Sequence, residues 1–308
     1  MRAFVFPGQG AQTIGMGREL ADAYPVAREV FDQVDEALGE KLTDLIWDGD
    51  IETLTLTRNA QPALMATSMA AFRALEAEGF GIQDANYVAG HSLGEYSALC
   101  AAGALSLEDT ARLLRLRGQA MQEAVPVGEG AMAAILGLDF ATVDRIARET
   151  AGDEVVQAAN DNDPAQVVIS GHKQAVERAA AAMKEAGAKR ALMLPVSAPF
   201  HSVLMQPAAA VMADALAAVD IQAPAVPLIA NVRAEAVNDP GEIRRLLVEQ
   251  VTGTVRWRES VANLSRAGVT EFWEIGAGKA LSGMIRRIAK EAELRNIGVP
   301  ADIVALRG

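Results

Sequence analysis

Tyr87-Val88-Ala89-Gly90-His91-Ser92-Leu93-Gly94-Glu95 is the stretch that decides how the chain folds. Tyr87 to Ala89 is strand-like, and Glu95 to Ala102 carries a helical pattern up to Gly103. Between them lies Gly-x-Ser-x-Gly, a turn whose glycines let the backbone bend sharply enough to push a serine hydroxyl clear of a sheet. The same turn sets Ser92 at a helix N-terminus, where free N–H groups and the positive end of the dipole favour negative charge. Ser92 is therefore expected to be a nucleophile, with the Leu93 N–H as an oxyanion donor.

Working outward, strand and helix signals alternate. Ala3 to Phe6 is an apolar strand broken by Pro7-Gly8-Gln9-Gly10, and a helical pattern runs from Pro62 to Glu78 before Gly79. Such alternation predicts an α/β domain with a parallel sheet. Between Gly128 and Pro195 the order changes. Ala131–Leu138 reads as strand, Phe140–Thr150 as helix, Val155–Ala159 and Gln166–Ser170 as strands, Lys173–Ala186 as helix and Ala191–Val196 as strand. The order β-α-β-β-α-β predicts a ferredoxin-like unit. Pro126-Val127-Gly128 and Pro195-Val196-Ser197-Ala198-Pro199 flank it with chain breakers, as two crossings between domains would. Alternation then resumes, with helix from Val203 to Val219 and strands at Val226–Ala230 and Glu271–Ile275. The expected organisation is a discontinuous α/β-hydrolase-like domain, residues 1–127 and 198–308, with a smaller ferredoxin-like domain, 128–197, inserted into it.

The chain has 308 residues, 51% of them hydrophobic, enough for a large core. A net charge of −12 argues against general binding to nucleic acid or anionic membrane, which needs a basic face. No apolar stretch approaches the roughly 18 residues of a membrane span. The single cysteine, Cys100, excludes an internal disulfide and a cysteine-based metal cluster. With no secretory signal at the N-terminus, a cytoplasmic protein is expected.

A serine hydroxyl needs a base, and the chain offers only His91, His172 and His201. His91 neighbours Ser92 in the turn, so its side chain should point elsewhere, into a structural hydrogen bond. His172 opens a helix of the smaller unit. His201, in Ala198-Pro199-Phe200-His201-Ser202, returns the chain to the larger domain beside the cleft and is the expected base. Phe6-Pro7-Gly8-Gln9-Gly10 lacks the Gly-Lys-Ser/Thr ending of a phosphate loop and the spacing of a dinucleotide fingerprint, so it reads as an oxyanion wall. Gly276-Ala277-Gly278-Lys279 fails the same tests and reads as structural.

Phe6-Pro7-Gly8-Gln9-Gly10, Gly90-His91-Ser92-Leu93-Gly94-Glu95 and Pro199-Phe200-His201 together resemble the malonyl-CoA:acyl carrier protein transacylases of dissociated, type II fatty acid synthesis. Further matches are Arg117 in Leu116-Arg117-Gly118-Gln119, Asn160 before Asp161, and Gln250 in Val248-Glu249-Gln250. The resemblance runs from Phe6 to about Gly283. It implies Ser92 as nucleophile, His201 as base, and the Gln9 and Leu93 N–H groups as oxyanion hole. It further implies that Gln250 offers a backbone carbonyl to His201, that Arg117 holds the malonyl carboxylate, and that Asn160 hydrogen-bonds at the mouth. Phe200 resembles the bulky residue of malonyl-selective relatives.

The implied partners are malonyl-CoA and a phosphopantetheinylated acyl carrier protein, with no metal or tightly bound cofactor. Such carriers are acidic, so docking on this acidic enzyme has to be local, with Lys189, Arg190, Arg286 and Arg287 as candidate contacts. Two other readings share parts of the pattern. A serine esterase or thioesterase of the α/β-hydrolase kind would share the turn and require an acidic triad member, for which Asp161 and Asp163 are in the right interval. A catalytically idle carrier-binding module would not need Ser92, His201 and Arg117 intact.

Overall fold

Ala3, Phe4, Val5 and Phe6 are each 0% exposed, because the strand they form is covered on both faces, as strands of parallel sheets are. The computed structural model describes residues 1–196 and 198–307; Ser197, in the second expected crossing, and Gly308, at the end of the larger expected domain, lie outside them. That strand, β1 (Arg2–Phe6), leads into α1 (Arg18–Ala23), α2 (Pro25–Leu38), α3 (Leu42–Asp48), α4 (Ile51–Thr55) and α5 (Thr57–Ala77). Next come β2 (Tyr87–Gly90), α6 (Gly94–Ala101) and α7 (Leu107–Glu123). The middle of the chain forms β3 (Gly130–Leu136), α8 (Phe140–Thr150), β4 (Val156–Asp163), β5 (Gln166–His172), α9 (Lys173–Glu185) and β6 (Arg190–Met193). The chain then continues through α10 (Gln206–Ala218), β7 (Leu228–Ile229), β8 (Ala236–Val237), α11 (Pro240–Thr252), α12 (Trp257–Arg266), β9 (Glu271–Ile275), α13 (Ala280–Ile288), β10 (Glu293–Ile297) and α14 (Pro300–Val304).

Six strands form one sheet in the order β10-β9-β1-β2-β7-β8, parallel throughout except for the β7–β8 pair. The alternation of β1 divides the core: Phe4 and Phe6 join the cluster built with α2, α5 and α7, while Ala3 and Val5 join the one built with α12 and α13. Phe4 also stacks on Trp273 of β9 with ring centroids 5.4 Å apart. The register Phe6↔Gly90 brings the carboxyl ends of β1 and β2 side by side, so the Pro7–Gly10 loop and the Ser92 turn emerge together, where open α/β sheets carry their ligands.

The other four strands form an antiparallel sheet in the order β4-β5-β3-β6. The expected β-α-β-β-α-β succession is observed there. Ala131, Ala133 and Ile135 of β3 pack under α8 and α9, whereas Met132 and Ala134 face the other way with Ala159, Val168 and Phe200.

Several boundaries differ from the sequence expectation for identifiable reasons. The long helix starts at Thr57, with Pro62 inside it. Proline has no N–H to donate to the Arg58 carbonyl four residues back; Arg115 of α7 supplies the missing donor through Nη1 at 2.6 Å. β4 continues to Asp163 instead of stopping at Ala159, because register shifts keep Asn160 and Asp161 paired to β5 and Asn160 bridges to Val255. β6 ends at Met193, two residues before Pro195, β7 is only two residues long, and the Val203–Val219 helix is a 3₁₀ turn followed by α10. Among the described residues no helix is long and apolar enough to cross a membrane.

Candidate active site

The turn between β2 and α6 is tight enough to demand its glycines. A Cβ on Gly90 would sit 1.9 Å from the Gly94 carbonyl oxygen, and one on Gly94 would sit 2.2 Å from that of Phe6. Ser92 adopts φ +54°, a left-handed conformation uncommon for a non-glycine residue. Asn231 braces it from both sides: its Nδ2 donates to the Gly90 carbonyl at 2.7 Å and its Oδ1 accepts the Ser92 N–H at 2.8 Å. The result is a hydroxyl presented into a cleft of about 350 Å³ between the two sheets, within the usual range for small-molecule sites.

His201, also at positive φ (+55°), comes from a turn held by the Ser202 hydroxyl donating to the Pro199 carbonyl at 2.7 Å. From the other sheet, the Gln157 side chain accepts the Val203 N–H at 3.0 Å. The imidazole lies between two oxygens, Ser92 Oγ 2.7 Å from Nε2 and the Gln250 carbonyl 2.8 Å from Nδ1. A carbonyl only accepts, so Nδ1 carries the proton and Nε2 keeps its lone pair toward the serine O–H. Burial, reinforced by the Arg117 charge, pushes the His201 pKa down to about 3. The imidazole is thus neutral at physiological pH, as a proton acceptor must be.

Arg117 on α7 is 1% exposed. Its Nη1 donates to Gln61 Oε1 at 2.8 Å, and its Nη2 to Gln250 Oε1 at 2.6 Å and Ser92 Oγ at 3.2 Å. The guanidinium lies over the Tyr96 ring, 5.6 Å from its centroid. Among the described residues no carboxylate forms an ion pair with it. Burial lowers its pKa from the usual arginine value.

The remaining expected residues fall as follows. Gln9, Leu93, Asn160 and Phe200 line the same cleft, and neither the Gln9 nor the Leu93 N–H has a hydrogen-bond partner among the described residues. His91 turns away from Ser92 and pairs with Asn162 at 2.8 Å, burial lowering its pKa. His172 caps α9, its Nδ1 accepting the Val155 N–H at 2.9 Å. The acidic candidates for a hydrolase triad are engaged elsewhere: Asp161 pairs with Arg258 at 2.8 Å, and Asp163 with Arg287 at 2.6 Å. Lys189, Arg190, Arg286 and Arg287 are exposed, with Arg287 also holding that ion pair. Gln61, Glu95, Asn162 and Asn231 also belong to the site, although no sequence motif assigns them a role there. Gly94-Glu95 extends the turn motif, and that adjacency is the one sequence signal for Glu95.

An α/β fold that sets a serine hydroxyl against a neutral, carbonyl-anchored imidazole has the parts that acyl transfer through a serine requires. The acyl transferase domain family matches residues 3–298. The chain belongs to this family, among the malonyl CoA-acyl carrier protein transacylases: it is 48% identical over 302 residues to the protein of that name from Bacillus subtilis (strain 168), over 98% of this chain and 94% of the relative. The crystal structure of an acyl-carrier-protein-S-malonyltransferase from Bartonella henselae superposes with a TM-score of 0.97 at 56% identity, covering 99% of this chain and 98% of that one. A malonyl-transacylase solved in complex with a holo type II PKS acyl-carrier protein superposes with a TM-score of 0.96 at 43% identity, covering 99% and 98%.

Proposed function

We propose that the protein transfers the malonyl group from malonyl-CoA to the phosphopantetheine thiol of an acyl carrier protein through an ester on Ser92, supplying fatty acid synthesis. The observation that carries the reading is Arg117, a buried cation 3.2 Å from the Ser92 hydroxyl. A guanidinium matches a carboxylate through two parallel hydrogen bonds. An acyl group ending in a carboxylate suits that charge, and a neutral one leaves it without a counter-ion.

The reaction runs in two balanced halves. His201 Nε2 takes the Ser92 proton as Oγ attacks the thioester carbonyl, and the tetrahedral oxyanion rests on the Gln9 and Leu93 N–H groups. One such donor is typically worth about 10²–10³ in rate. The C–S bond then breaks and the CoA sulfur leaves with the proton held by His201. In the second half the carrier thiol gives its proton to His201 and attacks the ester, and Ser92 Oγ recovers the proton on leaving. Gln250 anchors the imidazole through its carbonyl, in the place of a triad aspartate. Asn160 hydrogen-bonds at the mouth, and Phe200 crowds the position of an α-methyl on the acyl group. No metal or bound cofactor enters these steps.

Two domains suit this chemistry, a hydrolase-like one of residues 1–127 and 198–308 and a ferredoxin-like insertion of 128–197, with the cleft between them. The strand order β4-β5-β3-β6 with α8 and α9 on one face supports the second description. Lys189, Arg190, Arg286 and Arg287 form the carrier-docking rim. Arg190 pairs in register with Leu136, Leu136 with the cleft residue Gln166, and Gln166 with Asp163, the partner of Arg287. A reducing, cytoplasmic setting agrees with the lone buried Cys100.

The reading is tested by intact-protein mass spectrometry after brief exposure to malonyl-CoA. A single malonyl adduct on the wild type and none on Ser92→Ala is expected; an adduct that survives in Ser92→Ala would overturn it.

A further inference from the structure

Glu95 stands three residues after Ser92 at the start of α6 and is 1% exposed. Its Oε2 accepts Gln250 Nε2 at 2.6 Å, and its Oε1 accepts the Asn231 N–H at 3.4 Å. The Gln250 amide therefore lies between a group that only accepts and one that only donates, Glu95 on one side and the Arg117 Nη2, 2.6 Å away, on the other. An amide turned over would set N–H against N–H at the arginine and oxygen against oxygen at the carboxylate. Nε2 also donates to the Ser92 carbonyl at 2.9 Å, tying the same amide to the turn.

Resting on the malonyl-transfer reading, we propose that Glu95 is a positioning residue that sets which way the Gln250 amide faces and so holds the Arg117 guanidinium ready for the acyl carboxylate. Glu95 acts through Gln250, with no contact to the acyl group.

The arrangement depends on Glu95 being ionised, because a protonated carboxyl can donate and no longer selects the amide orientation. Burial pushes the Glu95 pKa up to about 7, against hydrogen bonds from Gln250 and Asn231 and the charge of Arg117. The titratable or charged groups around it are Arg117 on α7, Tyr96 on its own helix, pushed up to about 12 by burial, and His201 beyond Gln250, neutral down to about 3. Glu95 alone among them changes charge near neutrality. The preference for malonyl over a neutral acyl group should accordingly weaken as pH falls through about 7.

The test compares acylation of Ser92 by malonyl-CoA and acetyl-CoA at pH 6 and pH 8, in the wild type and in Glu95→Gln, which keeps the shape of the side chain. In the wild type the malonyl-to-acetyl ratio should rise several-fold between the two pH values. In Glu95→Gln the KM for malonyl-CoA should rise roughly ten- to a hundred-fold, the scale of one lost charge-assisted hydrogen bond, and the pH dependence of the ratio should vanish. A variant with the wild-type KM and ratio would overturn the proposal. So would a wild type whose ratio is flat with pH, an arm that stands even if the variant fails to fold. A wild type that takes acetyl but not malonyl would overturn the malonyl reading and this inference with it; one that prefers malonyl equally at both pH values would overturn this inference alone.

Discussion

Replacing Arg117 with methionine keeps an apolar side chain of similar reach on α7 and removes the cation. In the wild type the guanidinium is 1% exposed and donates to Gln61, Gln250 and Ser92, so in the proposed role it would form a buried ion pair with a malonyl carboxylate. Breaking such a pair by deleting one partner costs roughly 3–5 kcal/mol. At about 1.4 kcal/mol per factor of ten, kcat/KM for malonyl-CoA should fall by roughly 10²–10³ or more. Acetyl-CoA has no carboxylate to lose, and its kcat/KM should stay level or rise once the uncompensated charge is gone. The ratio of the two is therefore the diagnostic quantity, measured as the rate of Ser92 acylation by each thioester. The same change leaves Oε1 of Gln61 and of Gln250 short of a donor, at about 1–3 kcal/mol for each such group, so a lower Tm is expected and urea unfolding should accompany the kinetics. An unchanged malonyl-to-acetyl ratio in a folded, acylating Arg117→Met protein would rule out Arg117 as the carboxylate's partner, whatever happened to the absolute rates.

Three further outcomes follow, from the turn, from α13 and from the histidine. Gly90→Ala should abolish Ser92 acylation and lower Tm, since the new methyl would lie 1.9 Å from the Gly94 carbonyl, whereas Gly283→Ala, with open space around it inside α13, should stabilise by about 0.5–1 kcal/mol in thermal unfolding. His201, held at about 3 against 6.5 when free, binds a proton in the unfolded chain before it does in the folded one. Its contribution to stability is thus complete above pH 6.5 and declines as pH falls toward 3, at up to about 1.4 kcal/mol per pH unit. Urea unfolding at pH 7.5 and 4.5 should show a loss in the wild type that exceeds the loss in His201→Gln by roughly 3 kcal/mol; equal losses would contradict the neutral-imidazole assignment.

The parts of this site that could be read from sequence are those whose chemistry is local. Gly90 and Gly94 announce the turn because close backbone approach leaves no room for a Cβ, and with three histidines, position alone separates His201 from the other two. Arg117 and Gln250 were reachable only through resemblance. Arg117 stands on a helix with Arg112 and Arg115, and nothing in its own segment distinguishes the buried arginine from the exposed one. Glu95 and Asn231 escaped because their partners lie far along the chain, 155 residues for Glu95 with Gln250 and 139 for Asn231 with Ser92. Asn160-Asp161-Asn162-Asp163 falls beyond the strand expected to end at Ala159, since four polar residues in a row rarely lie in a core. Here all four are buried: Asn162 is satisfied by His91, Asp161 by Arg258 and Asp163 by Arg287, while Asn160 lines the cleft. Pro62 is the same kind of case, a helix breaker tolerated because Arg115 reaches the carbonyl it leaves free.

In the proposed mechanism Ser92 carries an acyl group destined for a thiol and not for water. It is tested most directly by isolating the malonylated protein, free of malonyl-CoA, and following the intact mass with and without the phosphopantetheinylated carrier. The adduct should persist in buffer and disappear promptly when carrier is added, with the malonyl mass appearing on the carrier. Loss of the adduct in buffer at the rate seen with carrier, with no malonyl mass gained by the carrier, would contradict it.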